Sequence, residues 1–519
     1  MVRSLPLLRT AASSCVGAIV SALTIIPTVN AQQRGDPVSV GMARASVATS
    51  RGLSAISSNI GALGMDPLGT RPDRQRVELD LSIIPFGASA GSTYLSASDL
   101  DFVFASKNRE DFSDADRLRL AGLLEEGRLS ADASVDLVNF RLRAPGVGAL
   151  MVRYGHRVRA QMTFPENFRA NVLQSGDIYD GGEIFRDPEI GGEWTRTLSF
   201  GLASAWERPI NPMQQNVWFP SVGFGFNLGY TEGIVHFDID DSSWAQTRRI
   251  ASAAGEPYRR IHVQGYYTFR SSEPLDSTFN PSDAVLQPGF IGSKNAAATG
   301  WEGGIGIAVV VLRTRPIQSD GRMGDPLKPQ VFLSGRDAER DAIVFGATIE
   351  GVGSLLWDGM NTRRRYDAIS DTLSEKDGPV SNEIIYRFEA PLDTIGAFRT
   401  RLPALARIGA AADLTAFIDG IPGDLIASVE FASPLNRAIG WEVRDRFSVG
   451  GEWRPTPRLA LRSGLQFGGR LGVAMALGVG LRPLPWLSLD AGTSEVTSLF
   501  FSDRRRVDLA FRGAIEVHF

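Results

Sequence analysis

Apolar and polar residues alternate along the last thirteen positions of the chain. Val507, Leu509, Phe511, Ile515, Val517 and Phe519 fall in one row with Gly513; Asp508, Ala510, Arg512, Ala514, Glu516 and His518 fall in the other. A strand turns successive side chains to opposite faces, so this stretch has one oily side and one charged side. It is slightly longer than the ~9–11 residues a tilted strand needs to cross a bilayer. Val77 to Pro85 repeats the period, with Val77, Leu79, Leu81 and Ile83 alternating with Glu78, Asp80 and Ser82. From Leu402 onward the pattern predicts antiparallel hairpins built of Leu414–Phe417, Leu425–Phe431, Trp441–Trp453, Leu459–Phe467, Leu471–Leu481, Trp486–Ala491 and Val507–Phe519. Proline-bearing connections at Asp419–Gly423, Arg454–Pro457 and Arg482–Pro485 suit short, stiff turns. Further glycine-studded strands are predicted over Thr195–Trp206, Val217–Tyr230, Tyr258–Arg270, Trp301–Arg313 and Ile343–Trp357, with loops over Ser271–Asn295 and Asn361–Pro379.

Leu471–Leu481 has the sharpest sorting. Leu471, Val473, Met475, Leu477, Val479 and Leu481 share one face, and Gly472, Ala474, Ala476, Gly478 and Gly480 share the other. A wall whose inner face is this small leaves room for something to lie against it: a plug segment, a bulky apolar ligand, or a second sheet. Two helices are predicted off this pattern. One starts at Ser113 with Asp116 as its reciprocal cap and runs through Leu118, Ala121 and Leu124 to Gly127; the other is led by Pro165 and carries Phe168, Val172 and Leu173. Neither is long or apolar enough to span a membrane.

Composition fits a sheet with one wet face. The mean hydropathy is −0.05 over 519 residues, and beyond residue 31 no apolar run approaches the ~20 residues of a membrane helix. Arg3 and Arg9, an apolar run ending at Ile26, and Val29-Asn30-Ala31 together read as a cleavable signal peptide. Cleavage after Ala31 removes two arginines and no acids, so 54 basic against 58 acidic residues becomes 52 against 58, a net charge of −6. Cys15, the only cysteine, goes with it, so neither a disulfide nor a thiolate metal site is expected. An acidic exported chain is a poor nucleic-acid partner.

Catalytic chemistry finds little support. His156, His236, His262 and His518 have no partner at metal-ligand spacing, and neither a phosphate loop nor a dinucleotide fingerprint follows any strand. Glu125-Glu126 and Asp238–Asp241 read as solvated charge. No enzyme activity, cofactor or metal is therefore expected, and no polar pore lining is recognisable. Arg363–Arg365 and Arg504–Arg506 are arginine clusters. The second precedes the final strand, where guanidinium forks could take lipopolysaccharide phosphates or simply be solvated.

Three resemblances follow from these residues. The closing strand with its terminal Phe519 resembles the C-terminal signature of bacterial outer-membrane β-barrels, which implies that Phe519 is read by the barrel insertion machinery. The small-residue stretch Gly41–Gly69 is similar to the N-terminal region of the long-chain fatty-acid transporter class of barrels, where an Asn-Pro-Ala-x-Leu turn forms part of a luminal plug. Here Asn59 and Leu63 are kept, and Ile60-Gly61 stand where Pro-Ala is usual. The same stretch also reads as a periplasmic lead-in. The order of strands and helices resembles a related outer-membrane family catalogued only as a domain of unknown function.

The expectation is an all-β, antiparallel transmembrane β-barrel of ~14–16 strands. Residues 1–31 form a signal peptide, 32–76 a plug-like segment, and 77–519 the barrel with its loops and two short helices. It would sit in the outer membrane of a Gram-negative-type bacterium, against lipid and lipopolysaccharide. The resemblance implies passive transport of hydrophobic or amphipathic small molecules, with Asn59, Ile60, Gly61 and Leu63 as ligand or plug residues. The alternative is a non-conducting barrel serving as scaffold or surface anchor for an exported partner.

Overall fold

The computed structural model describes residues 36–66, 68, 77–92, 128–163, 182–186, 190–208, 216–239, 243–250, 260–272, 296–314, 339–358, 362–374, 393–394, 396–418, 420–439, 444–469, 472–496 and 506–518. The signal-peptide, Ser113–Gly127 and Pro165–Leu173 expectations, Arg504, Arg505 and Phe519 lie outside these residues.

The first ten strands are β1 (Glu78–Ser92), β2 (Arg128–Ala144), β3 (Gly148–Thr163), β4 (Gly182–Arg186), β5 (Ile190–Glu207), β6 (Asn216–Ile239), β7 (Trp244–Ile250), β8 (Arg260–Ser272), β9 (Ala298–Thr314) and β10 (Arg340–Trp357). The others are β11 (Thr362–Ser374), β12 (Asp393–Thr394), β13 (Phe398–Arg401), β14 (Leu405–Asp413), β15 (Asp424–Pro434), β16 (Arg446–Thr456), β17 (Leu459–Gly468), β18 (Ala474–Leu484), β19 (Leu487–Thr493) and β20 (Arg506–His518). Fourteen of them close an antiparallel barrel in the order β1, β2, β3, β5, β6, β9, β10, β14 to β20, with β20 pairing back onto β1 from Glu78↔His518 to Gly91↔Arg506. Closure removes the sheet edges that a membrane would not tolerate. β13 extends the β14 position along β10. The short strands β4, β7, β8, β11 and β12 form a side ribbon, joined to the wall where β8 pairs with β6 over Phe237–Ile239.

The two faces of the wall sort as the alternation requires. Leu509 and Phe511 are exposed on β20, while Asp508, Ala510, Arg512 and Ala514 are buried. Phe200 and Leu202 on β5, Phe224, Phe226 and Leu228 on β6, and Ile305 on β9 are each about half exposed on the outer face. Large apolar side chains exposed side by side around a wall would be untenable in water and are what a lipid-facing belt consists of. Trp206 and Trp218 stand exposed near one end and Trp301 near the other, the placement of an aromatic girdle. Among the described residues no helix is long and apolar enough to cross a membrane; this chain crosses with strands.

Short turns close β16–β17 and β18–β19 at one end of the barrel, the turn end, and longer connections leave from the opposite, loop end. Four local expectations need correction. Leu414–Phe417 is not a strand: Asp413 accepts from Thr415 N at 3.0 Å and tips Leu414–Ala416 into a 3-10 turn. Asn361–Pro379 is not all loop, because β11 occupies Thr362–Ser374 and carries Arg363–Arg365 in register with β8; its apolar residues, Tyr366, Ala368, Ile369 and Leu373, fall on both parities and give no clean period. The strand expected from Trp441 begins only at Arg446. Arg506, expected in a loop, is the first residue of β20.

Candidate functional site

The N-terminal segment lies inside the barrel. It opens with α1 (Pro37–Gly41), which Asp36 caps by accepting from Ser39 N at 3.1 Å and whose first turn Pro37 favours. α2 (Leu53–Ser58) follows and ends at Asn59, which in turn caps the 3-10 turn Ile60–Ala62. Short helices of this kind owe their existence to tertiary packing rather than propensity, and here nearly every residue is buried. Ala48, Leu53, Ala55, Ile56, Ile60 and Leu63 form an apolar core with Met151, Ala203, Ala308 and Val310 of the wall.

Small residues set how closely segment and wall approach. A Cβ on Gly41 would lie 2.8 Å from Gly478 Cα, and one on Gly61 would collide with the backbone of Gly306. Asn59 ties the same point together: its Nδ2 donates to Val47 O and to Ile307 O, both at 2.9 Å, and its Oδ1 accepts from Gly61 N at 3.0 Å. Ile60 and Leu63 are buried beside it. Ala474 and Ala476 are buried on the inner face of β18, and Gly480 leaves room for the Arg462–Asp490 pair rather than for the segment. Gly472 lies outside β18 in a turn with φ +67°.

Charge holds the segment in place. Glu430 is the centre of one cluster: its Oε2 accepts from Ser46 N at 2.9 Å and Val47 N at 2.8 Å, and its carboxylate pairs with Arg407 at 2.8 Å and Arg446 at 3.1 Å. Arg407 also donates to Ser58 O at 2.8 Å. A second cluster runs round the wall: Glu452 to Arg462 at 2.5 Å, Arg462 to Asp490 at 2.8 Å, Asp490 to Arg512 and Arg512 to Asp36 at 2.9 Å each. Arg143 pairs with Asp66 and Glu78, and Arg141 with Glu78 and Asp80, while their Nε atoms donate to Gly64 O and Leu63 O at 3.0 Å. Arg44 pairs with Asp508 at 2.7 Å. Ala43 and Arg44 have φ of 51° and 68°, a left-handed turn that costs roughly 1–2 kcal/mol per non-glycine residue; the ion pair and close packing hold it.

The inner face is therefore polar and charged, where sequence reasoning saw no such lining. Partners such as Arg512 and Asp36 are 476 positions apart, so each alone looked like the solvated side of a strand. The signal present was the recurrence of Arg, Asp and Glu on the inward parity of alternating strands.

Above the segment, towards the loop end, lies a cavity of about 30 Å³ lined by Arg153, Arg157, Arg159, Thr195, Thr197 and Glu302 among others. Nothing in the sequence singled it out. No group of His, Cys, Asp and Glu among the described residues could hold a metal ion.

No family model matches the chain, and no curated protein matches it. Solved structures resemble it in architecture. A mutant of the TodX monoaromatic hydrocarbon channel is 11% identical, with 93% of this chain and 97% of that one covered and a TM-score of 0.40. A Pseudomonas aeruginosa FadL homologue is 12% identical, with 95% and 98% covered and a TM-score of 0.31. The P. putida toluene transporter TodX is 10% identical, with 92% and 97% covered and a TM-score of 0.32. The barrel assignment rests on the strand pairing itself, which closes β20 onto β1.

Proposed function

We propose that the protein is an outer-membrane barrel for passive transport of hydrophobic or amphipathic small molecules, closed at rest by residues 36–66. The observation that carries this reading is the way the segment is held. It is seated by hydrogen bonds and ion pairs such as Glu430 to Ser46 and Val47, which water can replace when the segment shifts. A fully apolar seal would offer no such exchange.

A second observation supports an exit through the wall. The β1–β20 register slips between Ile83 and Phe86, the β1–β2 pairing skips the same stretch, and β2–β3 slips between Asp136 and Val138. Pro85 lies in the skipped stretch and has no N–H to give a ladder. Three neighbouring strand junctions are thus irregular at one level, which would ease sideways passage of an oily solute. In this reading Phe519 is the insertion signal, and Arg504–Arg506 face lipopolysaccharide phosphates.

The alternative, a non-conducting scaffold for an exported partner, is favoured by one feature: Asn59 to Leu63 are packed rather than open. Liposome swelling and hydrophobic-dye uptake by the whole protein and by a form lacking residues 36–66 separate the two. Transport requires a rise in flux on deletion; a barrel that folds, inserts and stays tight would leave the scaffold reading.

A further inference from the structure

We propose that the outward face of the barrel at its loop end, around Arg399, Arg401 and Arg437, binds a diphosphorylated, acylated glycolipid of the outer leaflet, with the guanidinium groups taking its phosphates. The proposal needs a membrane-spanning barrel and stands whether or not the barrel conducts. The patch lies about half-way round the wall from the β1–β20 seam, so it is separate from Arg504–Arg506.

Pairing sets the patch apart. Inward-facing arginines are taken up by carboxylates, as Arg407 and Arg446 are by Glu430 and Arg462 by Glu452 and Asp490. Arg399, Arg401 and Arg437 are exposed, and none of their guanidinium groups has a partner among the described residues. The exposed acids at the same end, Asp358 and Asp445, form no ion pair with them; Asp445 instead accepts from Ser433 Oγ at 2.7 Å. Register fixes the direction and height of the three. On β13, Arg401 lies opposite Ser354 of β10, which lies opposite Trp301 of β9. Residues directly opposite on neighbouring antiparallel strands share a face, and Trp301 is 57% exposed on the outer one. Arg401 is therefore on the outer face, at the height of the loop-end girdle. Arg399 lies opposite the exposed Leu356, two residues or about 7 Å further from the bilayer centre. Arg437 joins them from the loop after β15, where Asn436 Nδ2 donates to Leu402 O at 2.7 Å and Asn436 Oδ1 accepts from Ala404 N at 3.0 Å. Arg401 and Arg437 are thus chain neighbours of a bonded pair.

The surroundings narrow the occupant. Towards mid-wall from the arginines, Val352, Ile408 and Phe431 are exposed on the same outer face, and Ile408 lies opposite Phe431 across β14 and β15. This is an apolar bed for acyl chains beneath three fork-shaped donors that match phosphate geometry. A free phosphate would gain only solvent-exposed charge contacts, which are weak one by one, and would leave the bed unused. A zwitterionic phospholipid would bring a cation of its own to a patch that is already cationic. A headgroup with two phosphates engages more of the three guanidinium groups than a headgroup with one. Its chains, lying in the bilayer, hold both phosphates at the patch at high effective concentration.

The test is native mass spectrometry of the full-length protein in detergent, titrated separately with diphosphoryl lipid A, monophosphoryl lipid A and phosphatidylglycerol. Diphosphoryl lipid A is expected to bind about tenfold more tightly than phosphatidylglycerol, with the monophosphoryl form between them. Joint replacement by Arg399→Gln, Arg401→Gln and Arg437→Gln should abolish that preference, while the three corresponding Arg→Lys changes keep part of it. Arg458→Gln, at an exposed arginine in the β16–β17 turn of the opposite end, should leave it unchanged. Excess inorganic phosphate should not displace the lipid. Heat-modifiable mobility on gels establishes that each variant is folded. Equal binding of diphosphoryl lipid A and phosphatidylglycerol by the wild type, an undiminished preference in the folded triple glutamine variant, an equal loss in Arg458→Gln, or displacement by inorganic phosphate would each overturn the proposal.

Discussion

Replacing Glu430 with Gln is the most revealing single change. The carboxylate is fully buried and accepts the two backbone N–H groups of Ser46 and Val47 while pairing with Arg407 and Arg446. Gln has nearly the same shape, but its amide offers one oxygen and no charge. Hydrogen bonds to a charged acceptor are worth about 1.5–3 kcal/mol net against about 0.5–1.5 for neutral ones; Gln can turn its one oxygen to both N–H groups, which share Oε2, but both bonds become neutral and its NH2 then faces Arg407 and Arg446. Seating of residues 36–66 should therefore weaken by about 1.5–3 kcal/mol, which is roughly a 10- to 150-fold rise in the unseated population. Hydrogen exchange at the Ser46 and Val47 amides in lipid nanodiscs reads that population directly. The control is Glu516→Gln, whose partner Arg482 has a side chain 55% exposed and whose loss should cost no more than about 1 kcal/mol. If Glu430→Gln exchanges at Ser46 and Val47 no faster than the control, the charge cluster does not seat the segment and the reasoning fails.

Other expectations follow from the same contacts. Asn59→Ala removes three hydrogen bonds joining segment, turn and β9 and should raise dye flux and protease sensitivity of the segment, a loss of about 1–3 kcal/mol. Gly478→Val places bulk where a Cβ would already lie 2.9 Å from Gly41 Cα; overpacking of about 1–3 kcal/mol should displace α1 and be seen as faster exchange at Ser39 and Val40. Phe226→Arg puts a charge on the lipid face of β6 and should lower refolding stability in liposomes by about 2–4 kcal/mol if the site is at midplane, read from the urea midpoint.

What was legible in the sequence had a period and a local cause. The alternation expected for the closing strand and for Leu471–Leu481 reappears over Asp508–Arg512 of β20 and Ala474–Leu481 of β18, because alternation is a property of each strand alone. The proline turns reappear shifted towards the C-terminus: Arg454–Thr456 and Arg482–Leu484 belong to β16 and β18, and only Pro457 and Pro485 lie in the turns, which are 457–458 and 485–486. Strand number was bracketed correctly, since the closed wall has 14. The ion-pair clusters were not legible: Arg143 meets Asp66 and Arg407 meets Ser58 only after the barrel closes around the segment. β11 was missed because its apolar residues fall on both parities and carry no hydrophobic period.

Spin-label accessibility along β6 in liposomes tests most directly whether this wall faces lipid outside and a packed lumen inside. Labels placed one at a time at Phe224 and Phe226 should be relaxed strongly by oxygen, which concentrates in lipid, and weakly by a water-soluble nickel chelate. Labels at Ser221 and Asn227, whose side chains are buried on the other face, should be shielded from oxygen and restricted in motion. Equal nickel relaxation on both faces would contradict a membrane-spanning barrel.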